Sequence, residues 1–205
     1  MENVLNRVAI IDYGVGNLRS VEKAFQAGGV EAVVSSDEAV LRGASRLVLP
    51  GVGAFRACME ALAARGFDRL VRERVAEGAS LLGVCVGMQM LFEESEEFGL
   101  TEGLGLLRGR VRRFPGTLRV PQVGWNQVGW RRGHALAEGI DDDTFFYFVH
   151  SFYCAAPEAD DLVGETEYGL VYASVVARGN VCGVQFHPEK SQAAGLRLLR
   201  NFAEK

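Results

Sequence analysis

The segment Gly83-Val84-Cys85-Val86-Gly87-Met88-Gln89 sets one thiol between two glycines, after an apolar run and ahead of a helix-like pattern. A strand that turns sharply into a helix pushes the turn residue outward, and small neighbours avoid a clash. The nucleophile elbow GxSxG uses this geometry, and the present stretch is its thiol version. At such a corner Cys85 would face the positive end of the helix dipole, which favours the thiolate. The N–H of Val86 would point toward an oxyanion formed by attack on a carbonyl. A small core cysteine in an ordinary strand–helix turn fits an isolated GxCxG equally well, so a base elsewhere must decide.

The chain has three histidines, His134, His150 and His187. His134 lies in the polar stretch RRGHALAEG and reads as solvated. His187 lies where an apolar run enters His187-Pro188-Glu189. Pro188 favours an extended His187, and residues two apart in an extended segment share a face. Glu189 would then fix the imidazole tautomer while His187 takes the thiol proton, across an approach of roughly 2.6–3.2 Å. Alone, this stretch also reads as a surface turn with a salt link; the cysteine elbow shifts the balance. A third element, Pro50-Gly51-Val52-Gly53, follows a buried run and has the backbone freedom to aim an amide at a reacting oxygen or rotate it away, although composition alone would favour an ordinary strand-ending turn. Two cofactor readings fail on spacing. Gly14-x-Gly16 lacks the third glycine of a dinucleotide site, where Arg19 stands instead, and no paired His/Cys spacing supports zinc. No cofactor and no metal are expected.

Positioning these groups requires alternating strands and helices. RVAIIDY (7–13), EAVVSS (31–36), SRLVLPG (45–51) and SLLGVCV (80–86) are short, apolar and rich in Val, Ile and Leu, as strands covered on both faces are. A helix opens at Asn17 with Leu18, Val21 and Phe25 on one face and ends at Gly28-Gly29. Further helices are predicted over 54–64, 67–77 and 87–95. RGRVRRF (108–114) alternates as a strand with a wet face. Segments 144–155, 170–180 and 181–189 read as closely spaced strands with antiparallel pairing. The helix at 192–205 carries Leu196, Leu199 and Phe202 on a stripe. The fold class is α/β, with a mostly parallel central sheet flanked by helices and antiparallel strands in the C-terminal half.

The bulk properties frame this chemistry. At 205 residues with no linker or repeat, one domain over 1–205 is expected. A net charge of −4 and a pI near 5.5 offer no broad electrostatic reason to bind nucleic acid or an anionic membrane. The N-terminus does not read as a secretory leader and no run is long and apolar enough to span a bilayer, so a cytoplasmic protein is expected. Cys58, Cys85, Cys154 and Cys182 are scattered without CxxC pairs, which fits reduced thiols.

Taken together, Pro50-Gly51-Val52-Gly53, Gly83-x-Cys85-x-Gly87-Met88-Gln89 and Gln185-Phe186-His187-Pro188-Glu189 resemble the class I, triad-type glutamine amidotransferases in order and separation across almost the whole chain. DYGVGNLRS (12–20), YFVHSFY (147–153) and HPEKSQ (187–192) further resemble the glutaminase subunits of imidazole glycerol phosphate synthase. The resemblance implies a flavodoxin-like amidotransferase fold and glutamine hydrolysis through a Cys85 glutamyl thioester, with His187 as base and acid and Glu189 orienting it. It implies an oxyanion hole at Gly51, Val52 and Val86, and glutamine held by Gln89 and the His150-Ser151-Phe152 backbone. It further implies that ammonia passes to a separate (β/α)8-barrel cyclase subunit in a heterodimer, with Asn17, Trp125, Tyr147 and Lys190 near the interface and the ammonia passage. Two positions depart from the family pattern: Gln122-Val123 replaces the usual His-Met before Gly-Trp-Asn, and Val15 stands where a proline is frequent. The rival readings are the free-standing glutaminase of another synthase, such as GMP synthetase, a non-catalytic binding subunit of the same fold, and a hydrolase of peptides or γ-glutamyl compounds, since elbow and base fix acyl chemistry better than substrate.

Overall fold

The computed structural model describes residues 8–155 and 158–204. Arg7 and the N-terminal segment lie outside them, as does Lys205 at the end of the last predicted helix. In chain order the first half comprises strand Val8–Ile11 (β1), helix Leu18–Ala27 (α1), strand Ala32–Ser35 (β2), helix Glu38–Gly43 (α2), strand Arg46–Gly51 (β3), helices Phe55–Ala64 (α3) and Phe67–Ala76 (α4), and strand Ser80–Cys85 (β4). One helical turn, Val86–Gln89 (α5), leads to short strands Glu94–Ser95 (β5), Thr101–Glu102 (β6) and Arg110–Arg113 (β7). Strands Gln122–Trp130 (β8), Thr144–His150 (β9), Phe152–Ala155 (β10), Leu162–Glu167 (β11), Val171–Arg178 (β12) and Val181–Val184 (β13) follow, and helix Gln192–Glu204 (α6) closes the chain.

The strands form one mixed sheet in which β2, β1, β3, β4 and β13 run parallel as neighbours. This order matches the doubly wound 2-1-3-4-5 arrangement, with β13 in the fifth place. β1 is buried at every residue, as a strand covered on both faces must be. Beyond β13 the pairing turns antiparallel, through β12 to β10, and β10 pairs with β7. β8 and β9 make a long antiparallel ribbon that joins the rest through β11. The mixed sheet bears out the expected architecture. Arg110 and Arg112 lie exposed on β7 with Val111 buried between them, giving the expected wet face.

Several local expectations need correction. The helix read over 87–95 is only the turn Val86–Gln89. Beyond it, the carbonyls of Met90, Leu91 and Phe92 accept N–H groups from Leu104, Leu106 and Gly105 at 2.7, 2.9 and 3.1 Å. The returning 103–107 segment thus takes the acceptors a longer helix would use. A one-turn helix also lacks the dipole invoked for Cys85, leaving only the local N–H groups of the turn. The strand read over 181–189 stops at Val184, and Pro188–Lys190 forms a 3-10 turn. The run 144–155 is two strands broken at Ser151. α2 was not anticipated; Asp37 caps it by accepting the Ala39 N–H at 2.8 Å. Asn17 does occupy the N-cap of α1, but its side-chain oxygen accepts the Ser20 hydroxyl instead of a backbone N–H. On α6 the buried stripe is Gly195, Leu198, Leu199 and Phe202, with Leu196 at its margin. His134 is not simply solvated: its Nδ1 accepts the Leu136 N–H at 3.2 Å and caps a 3-10 turn.

Phe186 ties β9 to the segment after β13, and so holds His187 in place. Its ring stacks on Phe146 at 4.0 Å and meets Phe148 edge-on at 5.6 Å, and all three are fully buried. Truncating a buried Phe costs about 3–5 kcal/mol. Phe186→Ala is therefore expected to lose stability in that range, read from urea denaturation midpoints; a loss under about 1 kcal/mol would contradict this packing.

Candidate active site

The three sequence motifs meet because β3, β4 and β13 are adjacent parallel strands ending at the same edge of the sheet. Gly51 pairs with Cys85 in register, Val184 pairs with Val84, and His187 follows three residues later. In open α/β sheets ligands bind at this carboxyl edge.

Cys85 holds φ 57° and ψ −116°, outside the regions a non-glycine residue ordinarily populates. Such a conformation costs on the order of 1–3 kcal/mol and persists only where the surroundings impose it. Here they do. A Cβ on Gly87 would lie 1.9 Å from the Leu49 carbonyl oxygen, and one on Gly83 would lie 2.6 Å from the Gly87 oxygen. Only glycines let the turn close against β3. The elbow read from the sequence is therefore present, held by backbone contact.

Cys85 opens into a cavity of about 360 Å³, walled by Val52, Val86, Gln89, His187 and the 149–152 segment. That volume suits a small metabolite. A larger open cleft of about 660 Å³, beside Trp130 and His134, shares no lining residue with it and contains no cysteine.

His187 and Glu189 approach through Nδ1 and Oε1 at 2.9 Å, with both side chains almost wholly buried. The pair forms across the entry to the 3-10 turn and not along a strand. Burial of the imidazole pulls its pKa down, but hydrogen bonds to Cys85 and Glu189, reinforced by their charge, outweigh burial and raise it to about 10. The imidazolium is favoured at neutral pH. His150 behaves oppositely: burial pushes it down to about 4, with an opposing push from its bond to the Phe152 carbonyl. It stays neutral, with its ring packed against Phe114, Phe148 and Tyr172.

The remaining expected site residues fall into two groups, with Asn17 in neither. Gly51, Val52, Val86, Gln89, His150, Ser151 and Phe152 surround Cys85, the last three through the segment that walls the cavity. Gln89 Nε2 donates to the Phe152 carbonyl at 3.1 Å and to Gln185 Oε1 at 3.0 Å. Trp125, Tyr147 and Lys190 cluster with one another: the Trp125 and Tyr147 rings meet edge-on at 5.9 Å, and Lys190 Nζ lies 5.8 Å from the Tyr147 ring centre. Trp125 is 45 % exposed, so it is no core aromatic. Asn17 is exposed and outside the cavity wall. Gln122 is buried and hydrogen-bonded to the Tyr172 hydroxyl, which reaches His150 Nε2.

Sequence reasoning missed four residues. Glu97 lies in the acidic run EESEE, which reads as a solvated face, yet its carboxylate is buried on the cavity wall and accepts the Phe55 N–H at 2.7 Å. Gln185 lies inside the third motif without an assigned part. Tyr13 donates its hydroxyl to the Pro50 carbonyl at 2.7 Å, and Cys58 its thiol to the Val52 carbonyl at 3.3 Å, bracketing the Gly51-Val52 peptide. Burial pushes the Cys58 thiol up, so it is a poor nucleophile. Among the described residues no group of three or more His, Cys, Asp or Glu side chains is placed to hold a metal ion, and no helix is long and apolar enough to cross a membrane.

A family description, glutamine amidotransferase class-I, matches residues 9–205. A solved glutamine amidotransferase superposes with a TM-score of 0.77 at 24 % identity, covering 96 % of this chain and 97 % of the other. PurLQS from Thermotoga maritima superposes with a TM-score of 0.77 at 17 % identity, covering 97 % of each. The chain belongs to the class-I glutamine amidotransferases. Imidazole glycerol phosphate synthase subunit HisH of Syntrophotalea carbinolica is 48 % identical, over 96 % of this chain and 99 % of that protein. The HisH subunit of Salinibacter ruber is 50 % identical, over 95 % and 92 %. Within the class, the chain belongs with the HisH subunits of imidazole glycerol phosphate synthase.

The charge coupling at His187 has a direct readout. Because its folded-state pKa lies above the ordinary 6.5, its stabilising contribution is full below pH 6.5 and is lost as pH rises through about 10. Glu189→Gln removes a carboxylate charge that holds the proton on the ring, so the His187 ring should lose its proton at lower pH than in the wild type. NMR titration of the ring nitrogens checks this, and an unchanged midpoint would show that Glu189 does not hold the imidazolium.

Proposed function

We propose that the chain, as a single glutaminase domain over 1–205, supplies the glutaminase activity of imidazole glycerol phosphate synthase. It hydrolyses glutamine and passes ammonia to a separate (β/α)8-barrel cyclase subunit in a cytoplasmic heterodimer. That cyclase makes imidazole glycerol phosphate and aminoimidazole carboxamide ribotide in histidine biosynthesis. The observation that carries the reading is the strained Cys85 elbow facing the buried His187–Glu189 pair.

The Cys85 thiolate attacks the side-chain carboxamide carbon, and the carbonyl oxygen becomes an oxyanion. The Val86 N–H and the Gly51-Val52 peptide are its donors, each typically contributing about 2.7–4 kcal/mol. His187 gives its proton to the leaving nitrogen, the C–N bond breaks, and ammonia leaves a Cys85 glutamyl thioester. His187, now neutral, takes a proton from water, whose oxygen attacks the thioester carbon. Glutamate departs and the thiolate–imidazolium pair returns. Both amide hydrogens of Gln89 are committed to Phe152 and Gln185, so it offers substrate only its oxygen. Gln89 and Glu97 are thus acceptors suited to an amino-acid ammonium.

The β8–β9 ribbon supports a docked partner. Val123, Trp125, Phe145, Tyr147 and Val149 share one face by register. Val123 and Phe145 are more than half exposed, while Val149 reaches the cavity wall. An apolar track therefore runs from the site to the surface, where a partner could cover it. The Gly51-Val52 peptide would act as a switch, turned away in the free subunit and turned in when the loaded cyclase docks. This avoids wasting glutamine and fits ammonia that must stay unprotonated on its way.

Glutamate release is the test, using wild type and Cys85→Ala, each alone and mixed with a histidine-pathway cyclase and its nucleotide substrate. Release should rise in the wild-type mixture and fall at least about 10⁴-fold in Cys85→Ala. Equal wild-type rates with and without partner would overturn the switch, and release by Cys85→Ala would overturn the nucleophile.

A further inference from the structure

Gln185 follows β13, is fully buried, and has its backbone N–H fixed to the Ser174 carbonyl at 2.9 Å. Its side-chain Nε2 lies 3.8 Å from Cys85 Sγ. Which end of that amide faces the sulfur is decided two residues away. The Phe152 carbonyl oxygen can only accept, and it faces Gln89 at 3.1 Å and His150 Nδ1 at 2.7 Å. Gln89 must therefore present its NH2 there, since its own oxygen would be repelled. The second N–H of Gln89 meets Gln185 at 3.0 Å, which requires the Gln185 oxygen on that side. Reversing Gln185 would set two NH2 groups against each other. The Gln185 NH2 is thus left facing the sulfur, an orientation fixed by hydrogen-bond direction.

The same chain continues behind His150. The ring gives its Nδ1 hydrogen to the Phe152 carbonyl, and its Nε2 lies 3.2 Å from the Tyr172 hydroxyl. That hydroxyl donates to Gln122 Oε1 at 2.9 Å. Gln122 thus anchors the tyrosine that packs behind His150.

We propose that Gln185 is a thiolate-holding residue of this site, its carboxamide oriented by the Phe152 carbonyl through Gln89 so that an N–H donates to Cys85 Sγ. The inference rests on Cys85 being the nucleophile. The sulfur also has the Val149 carbonyl 3.9 Å away, an acceptor for a thiol proton and an unfavourable neighbour for an anion. The Gln185 donor offsets that carbonyl and works with the charge of His187. The other titratable groups around the sulfur are Glu189 behind His187, Glu97, His150 and Lys190 on the same cavity wall, and the buried Tyr13, Cys58 and Cys154, which burial keeps protonated.

The test is the pH dependence of Cys85 alkylation by iodoacetamide in the full chain, without glutamine or partner. Mass spectrometry of the Cys85 peptide provides the readout, and Cys85→Ala is the blank. In Gln185→Leu the pH of half-maximal alkylation should rise by about one unit, a tenfold loss of rate on the acid limb. Gln185→Glu keeps the acceptor for Gln89 but sets a carboxylate against the sulfur, and should shift the midpoint further. Gln89→Leu, which frees the orientation of Gln185 without touching it, should shift it in the same direction by less, and keeps the test available if a position-185 variant misfolds. Superimposable profiles in folded variants, or a downward shift, would overturn the proposal. Either result leaves the role of Cys85 to the separate glutamate-release comparison.

Discussion

The close approach of β3 to the turn after β4 is the constraint on which the rest of this molecule depends. With a glycine at 87 pressed against the Leu49 carbonyl, the chain has no room to leave β4 except through the strained conformation of Cys85. The same contact sets the Gly51-Val52 peptide beside the sulfur, since Gly51 pairs with Cys85 and a Cβ there would lie 2.6 Å from the Gly87 nitrogen. The proposed nucleophile and oxyanion donors are thus two sides of one backbone contact. The parallel run of β3, β4 and β13 supplies the third side, because a strand ending beside β4 delivers His187 to the same edge. Burial within β1, β3 and β4 offsets the local strain, each large apolar side chain contributing about 1.5–3 kcal/mol.

Electrostatics then divides the histidines. His187 and His150 are both deeply buried, and burial alone would strip both of charge. Only His187 has a carboxylate and a thiol as partners, and it alone is driven to the imidazolium. His150 meets a carbonyl and a hydroxyl, and stays neutral. The same residue type is therefore charged in one place and neutral in the other.

The meeting of the Cys85, His187-Glu189 and Gly51-Val52 motifs was legible in the sequence because each is a short motif whose residue types suit one chemistry. The parallel half of the sheet was legible because doubly covered strands must be apolar throughout. What escaped were features decided by distant chain. Helix propensity after Cys85 lost to the backbone of 103–107, which cannot be seen in a window around 87–95. Glu97 reads as one more surface charge in EESEE until α3 and the cavity close over it. Gln185 gains its part from Phe152 and Gln89, far off in sequence, and no local pattern encodes that hydrogen-bond direction. The exposed ribbon of Val123, Trp125 and Phe145 illustrates the converse: an alternating apolar face that the fold leaves open reads in sequence like a core strand.

The central claim is that Cys85 attacks a glutamine-like carbonyl within the cavity. Its most direct test is covalent trapping by an electrophilic glutamine analogue, followed by peptide mapping. A single adduct on Cys85, absent when glutamine is in excess, is the expected result. Modification of another residue, or no protection by glutamine, would contradict it.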